Sequence, residues 1–304
     1  MERFPDNARV CFVGDSITHT GHFQKHIVAY YRRNFPACGV EFYNCGIAGG
    51  NLRNTINIYE EDIDIYAPTH VVLMIGVNDS RRGRLENDAD AERYEKIVEA
   101  YERYKRNIEE FHRLTKSRGA ELILCTPAPY DEYQKADSPV LRGGYALMLG
   151  YAAFIREFAT QNGIALCDYH SAMTEATQTE VIYSTDRVHP NERGHFYMAK
   201  AFLASQGLEL SAPEDIPPEV EEWYGITQKL RNVVTAEFFA TPDYLTLSDS
   251  ERFEAVKTQV EKIDNKLAEF GDYVEGLFRR YLENKPRQTE YIEAVKRLMK
   301  NGQI

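Results

Sequence analysis

His70-Val-Val-Leu-Met-Ile-Gly-Val-Asn-Asp79 is the stretch whose reading decides the fold. From Val71 to Ile75 no polar residue interrupts it. A strand with one wet face alternates apolar and polar residues, so an unbroken run is read as a strand buried on both faces. Such strands belong to parallel sheets with helices on either side. The run is also far shorter than the ~20 apolar residues of a membrane-spanning helix.

Outward from this strand the chain alternates short β-branched runs with helical periods. Strands are expected at 9–13, 40–44, 121–125 and 164–167, and helices at 23–35, 89–118, 145–161 and 190–205. In the second helix Tyr94, Ile97, Val98, Tyr101, Tyr104, Ile108, Phe111 and Leu114 keep the spacing of one buried stripe. Asn162-Gly163 is a helix stop. Strand–helix alternation makes βαβ units and one parallel sheet, and right-handed crossovers narrow it to a doubly wound, flavodoxin-like class. In such sheets functional loops gather at the carboxyl ends of the strands.

Pro213, Pro217 and Pro218 mark a break after Gly207, which divides the chain into an α/β domain, 1–207, and an all-helical extension, 208–304. In the extension Phe253, Val256, Val260, Ile263, Leu267, Phe270, Val274, Leu277 and Tyr281 follow one another at alternating steps of three and four. That is an a/d seam on one long helix, capped near Ser248 to Ser250 and ended by Pro286. A seam of that length needs a partner. The candidates are a preceding helix over 219–239, the α/β domain, or a second copy in a homodimer through the C-terminal helices.

Composition removes several classes. Lysine and arginine total 36 against 47 aspartate and glutamate, a net charge of −11, which argues against nucleic acid and anionic membrane as partners. With 43% hydrophobic and 27% charged residues the chain is globular. Its five cysteines, Cys11, Cys38, Cys45, Cys125 and Cys167, include no C-x-x-C pair and read as buried reduced thiols rather than a disulfide framework or zinc site. The N-terminus has no apolar signal region, so a cytoplasmic protein is expected.

Polar residues cluster at four places on the functional edge: Gly14-Asp15-Ser16, the glycine loop Asn44 to Asn51, Gly76-Val-Asn78-Asp79, and Asp186-Arg-Val-His189-Pro190. Alone, these are a helix cap, a turn, an Asx-turn and a surface loop. Together they are the parts of an acyl-transfer site. A serine hydroxyl needs a base within hydrogen-bond reach, and His189 carries an imidazole. Asp186, three residues earlier, can fix its tautomer and stabilise its cation. A tetrahedral oxyanion needs preorganised donors: the Ser16 N–H, a glycine N–H of the second loop, and the Asn78 amide.

These blocks resemble the SGNH branch of the GDSL esterase/lipase superfamily, whose pattern is a GDS motif, N-x-G-x-x-G, G-x-N-D and D-x-x-H-P. The chain carries GDSIT at 14–18, NCGIAG at 44–49, GVND at 76–79 and DRVHP at 186–190, with Ile17 where leucine is usual. The resemblance covers roughly residues 8–206 and implies a three-layer α/β/α sandwich around a five-stranded parallel sheet. It implies Ser16 as nucleophile, Asp186 and His189 as the rest of the triad, and Gly49, rather than Gly46, with Asn78 and Ser16 as the oxyanion hole. No cofactor and no metal are implied. Asp15, His19 and Arg53 are the substrate-binding candidates.

His22 and His26 share a helix face at a spacing seen in metal sites, without H-E-x-x-H or a nearby carboxylate. Arg81, Arg82 and Arg84 could steer an anion. Tyr130 and Tyr133 stand in the loop after the fourth strand, where aromatic rings can stack on sugars. Within the superfamily the chain resembles carbohydrate acetylesterases, so a small-molecule ester, an acylated sugar, is the expected substrate. The rivals are a lysophospholipase or short-chain thioesterase, and a non-catalytic flavodoxin-like binding module whose glycine loop cradles phosphate. The last lacks both G-x-G-x-x-G and a P-loop lysine.

Overall fold

The computed structural model describes residues 1–80, 90–133, 143–213, 215–225, 227, 228 and 231. Five strands form one parallel sheet: β1 (Arg9–Gly14), β2 (Glu41–Gly46), β3 (His70–Met74), β4 (Glu121–Cys125) and β5 (Ala165–Cys167). Their order is β2-β1-β3-β4-β5, so the strand order reverses between β1 and β3. That is the switch point at which open α/β sheets offer a crevice. The helices expected from periodicity are α2 (His22–Asn34), α5 (Asp90–Ser117), α6 (Gly144–Asn162) and α8 (Glu192–Ser205); α1 (Ser16–Thr20), α3 (Leu52–Asn57) and α7 (Tyr169–Ala176) lie between them. These three begin within six residues of a strand's last residue and span eight residues or fewer, too short for a 3.6-residue period to register.

Register sorts the strand side chains into two faces. Val10, Phe12, Phe42, Val72, Ile123 and Cys125 share one buried cluster with Phe23 and Ile27 of α2, Met173 of α7 and Phe202 of α8. The intervening residues Cys11, Val13, Val71, Leu73, Leu122 and Leu124 are buried as well. Burial on both faces explains why β3 reads as an unbroken apolar run. On α5 the buried apolar positions are Ala100, Tyr104, Ile108 and Phe111, whereas Val98 is 40% exposed. The expected stripe is corrected there, because Ala100 takes the inward position that Val98 misses by about a third of a turn. All five cysteines are free and buried.

The chain divides into two compact units, one of Met1–Asn57 with Pro68–Arg231, the other of Ile58–Ala67 with Asn232–Ile304. The first therefore continues past the break expected at Gly207. In the second the described residues form α4 (Tyr59–Asp62) and the 3-10 turn Asp64–Tyr66. The heptad seam from Phe253 to Tyr281, and with it the homodimer expectation, lies outside the described residues, as do Arg81, Arg82 and Arg84. No helix among the described residues is long and apolar enough to cross a membrane.

Candidate active site

β1 delivers Ser16 directly onto the first turn of α1. Asp15 is the N-cap, its carboxylate accepting from the Ile17 N–H at 3.0 Å. That cap fixes the strand-to-helix turn and leaves Ser16 at the first helical position, where a backbone N–H has no intrahelical acceptor. Gly14 is required by close packing, since a Cβ there would lie 2.2 Å from the Thr18 hydroxyl and 2.3 Å from the Met74 carbonyl. Gly46 is required likewise, because its Cβ would meet the His19 backbone nitrogen at 2.1 Å.

The Ser16 hydroxyl lies 2.8 Å from Nε2 of His189, and Nδ1 of that ring lies 2.5 Å from Oδ2 of Asp186. The 173 residues between Ser16 and His189 are closed by the fold alone. The loop carrying the pair is held by its own hydrogen bonds. Oδ1 of Asp186 accepts from the N–H groups of Val188 and His189 and from the Ser184 hydroxyl, at 2.9–3.0 Å. Burial by itself would raise the Asp186 carboxyl, but these donors and the His189 ring outweigh it and hold the group well below the usual carboxylate range. Arg187, between the two, is in the left-handed region at φ 66°. It is pinned there by Asp131, whose N–H donates to the Arg187 carbonyl and whose carbonyl accepts from the guanidinium.

The three expected oxyanion donors follow the carboxyl ends of β1, β2 and β3. Asn78 donates one amide hydrogen to the Gly50 carbonyl at 2.8 Å, which aligns the amide and leaves its second hydrogen. Gly49 is exposed, with φ 76°, in the turn closed by the Gly50 N–H and the Ile47 carbonyl. Asn44, at the end of β2, donates to the carbonyls of Thr18 and His19 and so ties the glycine loop to α1.

Two of the substrate-binding candidates have protein partners of their own. Asp15 is 1% exposed and spent on the cap; burial pushes its carboxyl up to about 6, against the pull of the Ile17 N–H and of His189. Arg53 forms a bidentate ion pair with Glu110 at 3.0 and 2.6 Å and donates to Asn107, so its guanidinium joins α3 to α5. His19 is buried, and its carbonyl accepts from Asn44 and Gln228. His22 meets the Tyr224 hydroxyl and packs its ring on His195.

Sequence reasoning missed several supports. Asp79 accepts the Leu52 N–H with both oxygens and anchors α3; burial pushes its carboxyl up to about 7, and the Asp15 charge adds to the rise. Its signal was present in the G-x-N-D block, where only the asparagine was given a task. Three residues beyond the proline-rich break hold the carbonyls around the nucleophile: Tyr224 donates to Thr20, Gln228 to His19, and the fully buried Arg231 to Gly46, at 2.8–3.0 Å. Nothing local in sequence announces contacts of about 200 residues' separation.

Known proteins share this arrangement of elements. The sequence profile of the GDSL-like lipase/acylhydrolase family matches residues 12–196. An acetylxylan esterase of Geobacillus stearothermophilus is 27% identical over 218 residues, 66% of this chain and 94% of that protein. The solved structure of a gut microbial diltiazem-metabolizing enzyme is 26% identical with a TM-score of 0.62 over 68% of this chain, which spans 48% of that one. A variant of an acetyl xylan esterase from G. stearothermophilus superposes with a TM-score of 0.58 at 24% identity, over 69% of this chain and 99% of its own, and shows the same fold.

Proposed function

The chain belongs to the GDSL-like lipase/acylhydrolase family and is a carboxylic ester hydrolase, and from that premise we propose that it removes acetyl groups from an acetylated carbohydrate through an acyl-enzyme on Ser16. The observation that carries the mechanism is the continuous hydrogen-bonded chain from the Ser16 hydroxyl through His189 to Asp186. The acetylated sugar is supported by the acetylxylan esterase relative.

In the proposed reaction the Ser16 oxygen attacks the ester carbonyl while its proton passes to Nε2 of His189. Asp186 holds the other ring nitrogen and stabilises the imidazolium. The oxyanion is held by the N–H groups of Ser16 and Gly49 and by the Asn78 amide. Collapse breaks the C–O bond, and the sugar alkoxide leaves with the proton from His189. Water then attacks the acetyl-enzyme by the same route, His189 taking its proton and returning it to Ser16, and acetate departs.

Acetate release from a panel of acetylated oligosaccharides tests the reading, with Ser16→Ala as control and long-chain lysolipids as competitors. The expected result is release from sugars that disappears in the variant. Preferential cleavage of the lysolipids would replace the sugar esterase by a lysophospholipase.

A further inference from the structure

Among residues the mechanism does not use lies a cavity of about 280 Å³. It is bounded by the loop that follows β4, by the end of α7 and by Tyr183. Tyr183 immediately precedes the Ser184–Pro190 loop and bridges to Pro190, while Asp131 on the cavity wall is the residue that pins Arg187. The cavity and the His189–Asp186 pair are therefore built on one loop.

Its lining is uneven in an informative way. Tyr130 and Tyr183 are buried walls, 4% and 2% exposed, whereas Tyr133 stands 76% exposed. The Tyr133 ring meets Tyr145 edge-on at 5.6 Å, so the exposed ring keeps an aromatic neighbour. No protein partner among the described residues engages the hydroxyls of Tyr133 and Tyr145 or the carboxamide of Gln178. A buried-core explanation accounts for Tyr130 and Tyr183 but not for an exposed ring paired with a neighbouring ring. Ligand pockets combine apolar walls with a few convergent polar groups, and this volume is at the small end of their usual range, about 300–1,000 Å³. Among the described residues that line it there is no lysine or arginine to hold a phosphate or carboxylate. An exposed aromatic ring with hydroxyl and carboxamide groups beside it suits a neutral saturated ring that offers a C–H face for stacking and carries several hydroxyls.

We propose that this cavity is a sugar subsite, in which Tyr133 stacks on one neutral pyranose unit and Tyr145 and Gln178 bond its hydroxyls. The assignment deepens the proposed function, since it supplies a place for the carbohydrate part of the ester beside the loop that carries the base.

The test is titration of the whole protein with an unacetylated xylo-oligosaccharide, followed by nuclear magnetic resonance or calorimetry, and with p-cresol as an aryl probe. Saturable binding of the oligosaccharide is expected, weakened at least tenfold in Tyr133→Ala and measurably in Gln178→Ala. Absent binding, binding unchanged in Tyr133→Ala, or p-cresol binding more tightly than the oligosaccharide would overturn the subsite. Because the probe carries no ester, the result is separate from acetate release: sugar binding without deacetylation supports the subsite and refutes the proposed reaction, and deacetylation with no Tyr133-dependent binding does the reverse.

Discussion

The nucleophile and its base are held by opposite means. Around Ser16 the polar groups are buried and secured from far away: Asp15 is 1% exposed and Asp79 7%, and the carbonyls of Thr20, His19 and Gly46 are bonded by residues 224–231. On the other side the His189 and Asp186 side chains are 43% and 49% exposed, and apart from the contact with Ser16 their bonds come from within the same short loop, Ser184 to His189, whose Arg187 is held from outside by Asp131. The carboxyls record the difference. Burial lifts Asp15 and Asp79, whereas local donors depress Asp186 despite its partial burial. A site can thus join a half assembled by the whole fold to a half that assembles itself.

The comparison can be broken in stages. The largest effect is expected from Ser16→Ala, on the order of 10³-fold or more in kcat with an unchanged melting temperature, since one hydroxyl at the site edge contributes little to packing. Steady-state rates beside a thermal melt check it, and retained activity would remove Ser16 from the chemistry.

Asp186→Asn attacks the self-assembled half. A loss of roughly 10²–10⁴-fold is expected, because the amide can present the wrong group to Nδ1 and leave the imidazolium unsupported. The loop's backbone bonds remain available, so the fold should tolerate the change. An unfolded variant would mean that the loop is not self-assembled after all.

Asn78→Ala probes the fold-assembled half where it meets the transition state. A fall of about 10²–10³-fold in kcat with KM little changed is expected. A change confined to KM would reassign Asn78 to holding substrate.

Arg231→Met separates long-range support from chemistry. It leaves the Gly46 carbonyl unpaired and removes a buried guanidinium, at a cost of about 1–3 kcal/mol in urea denaturation. The variant should lose kcat as the glycine loop loosens. Wild-type stability would show that the segment beyond the family match contributes nothing to the site.

The smallest effect is a pH dependence. An unfolded aspartate titrates near 3.8, and Asp79 in the native protein near 7, so between these values the native state binds the extra proton. Its contribution to stability must then fall as pH rises from about 4 to 7. Asp79→Asn should gain roughly 1–2 kcal/mol relative to the parent between pH 5 and 7. Buried His195, lowered to about 3 by burial, acts in the opposite sense in both proteins and cancels in the difference. A constant difference across that range would mean that Asp79 is ionised in the native state.

The sequence by itself determined the parallel sheet, because burial on both faces of β3 erases alternation in a way that no one-sided strand can. It also determined the four motif blocks, because each sits at or just beyond a strand end or on the surface loop that follows α7. What it could not assign was the employment of individual polar groups. Asp15 and Arg53 have the chemistry of substrate ligands, and only the fold shows the partners they already hold, the Ile17 N–H and the Glu110 carboxylate. Periodicity and spacing report on residues a few positions apart. The 2.8 Å contact between Ser16 and His189 and the bond from Arg231 to Gly46 join positions 173 and 185 residues apart, and such contacts exist only once strand order has folded the chain back upon itself.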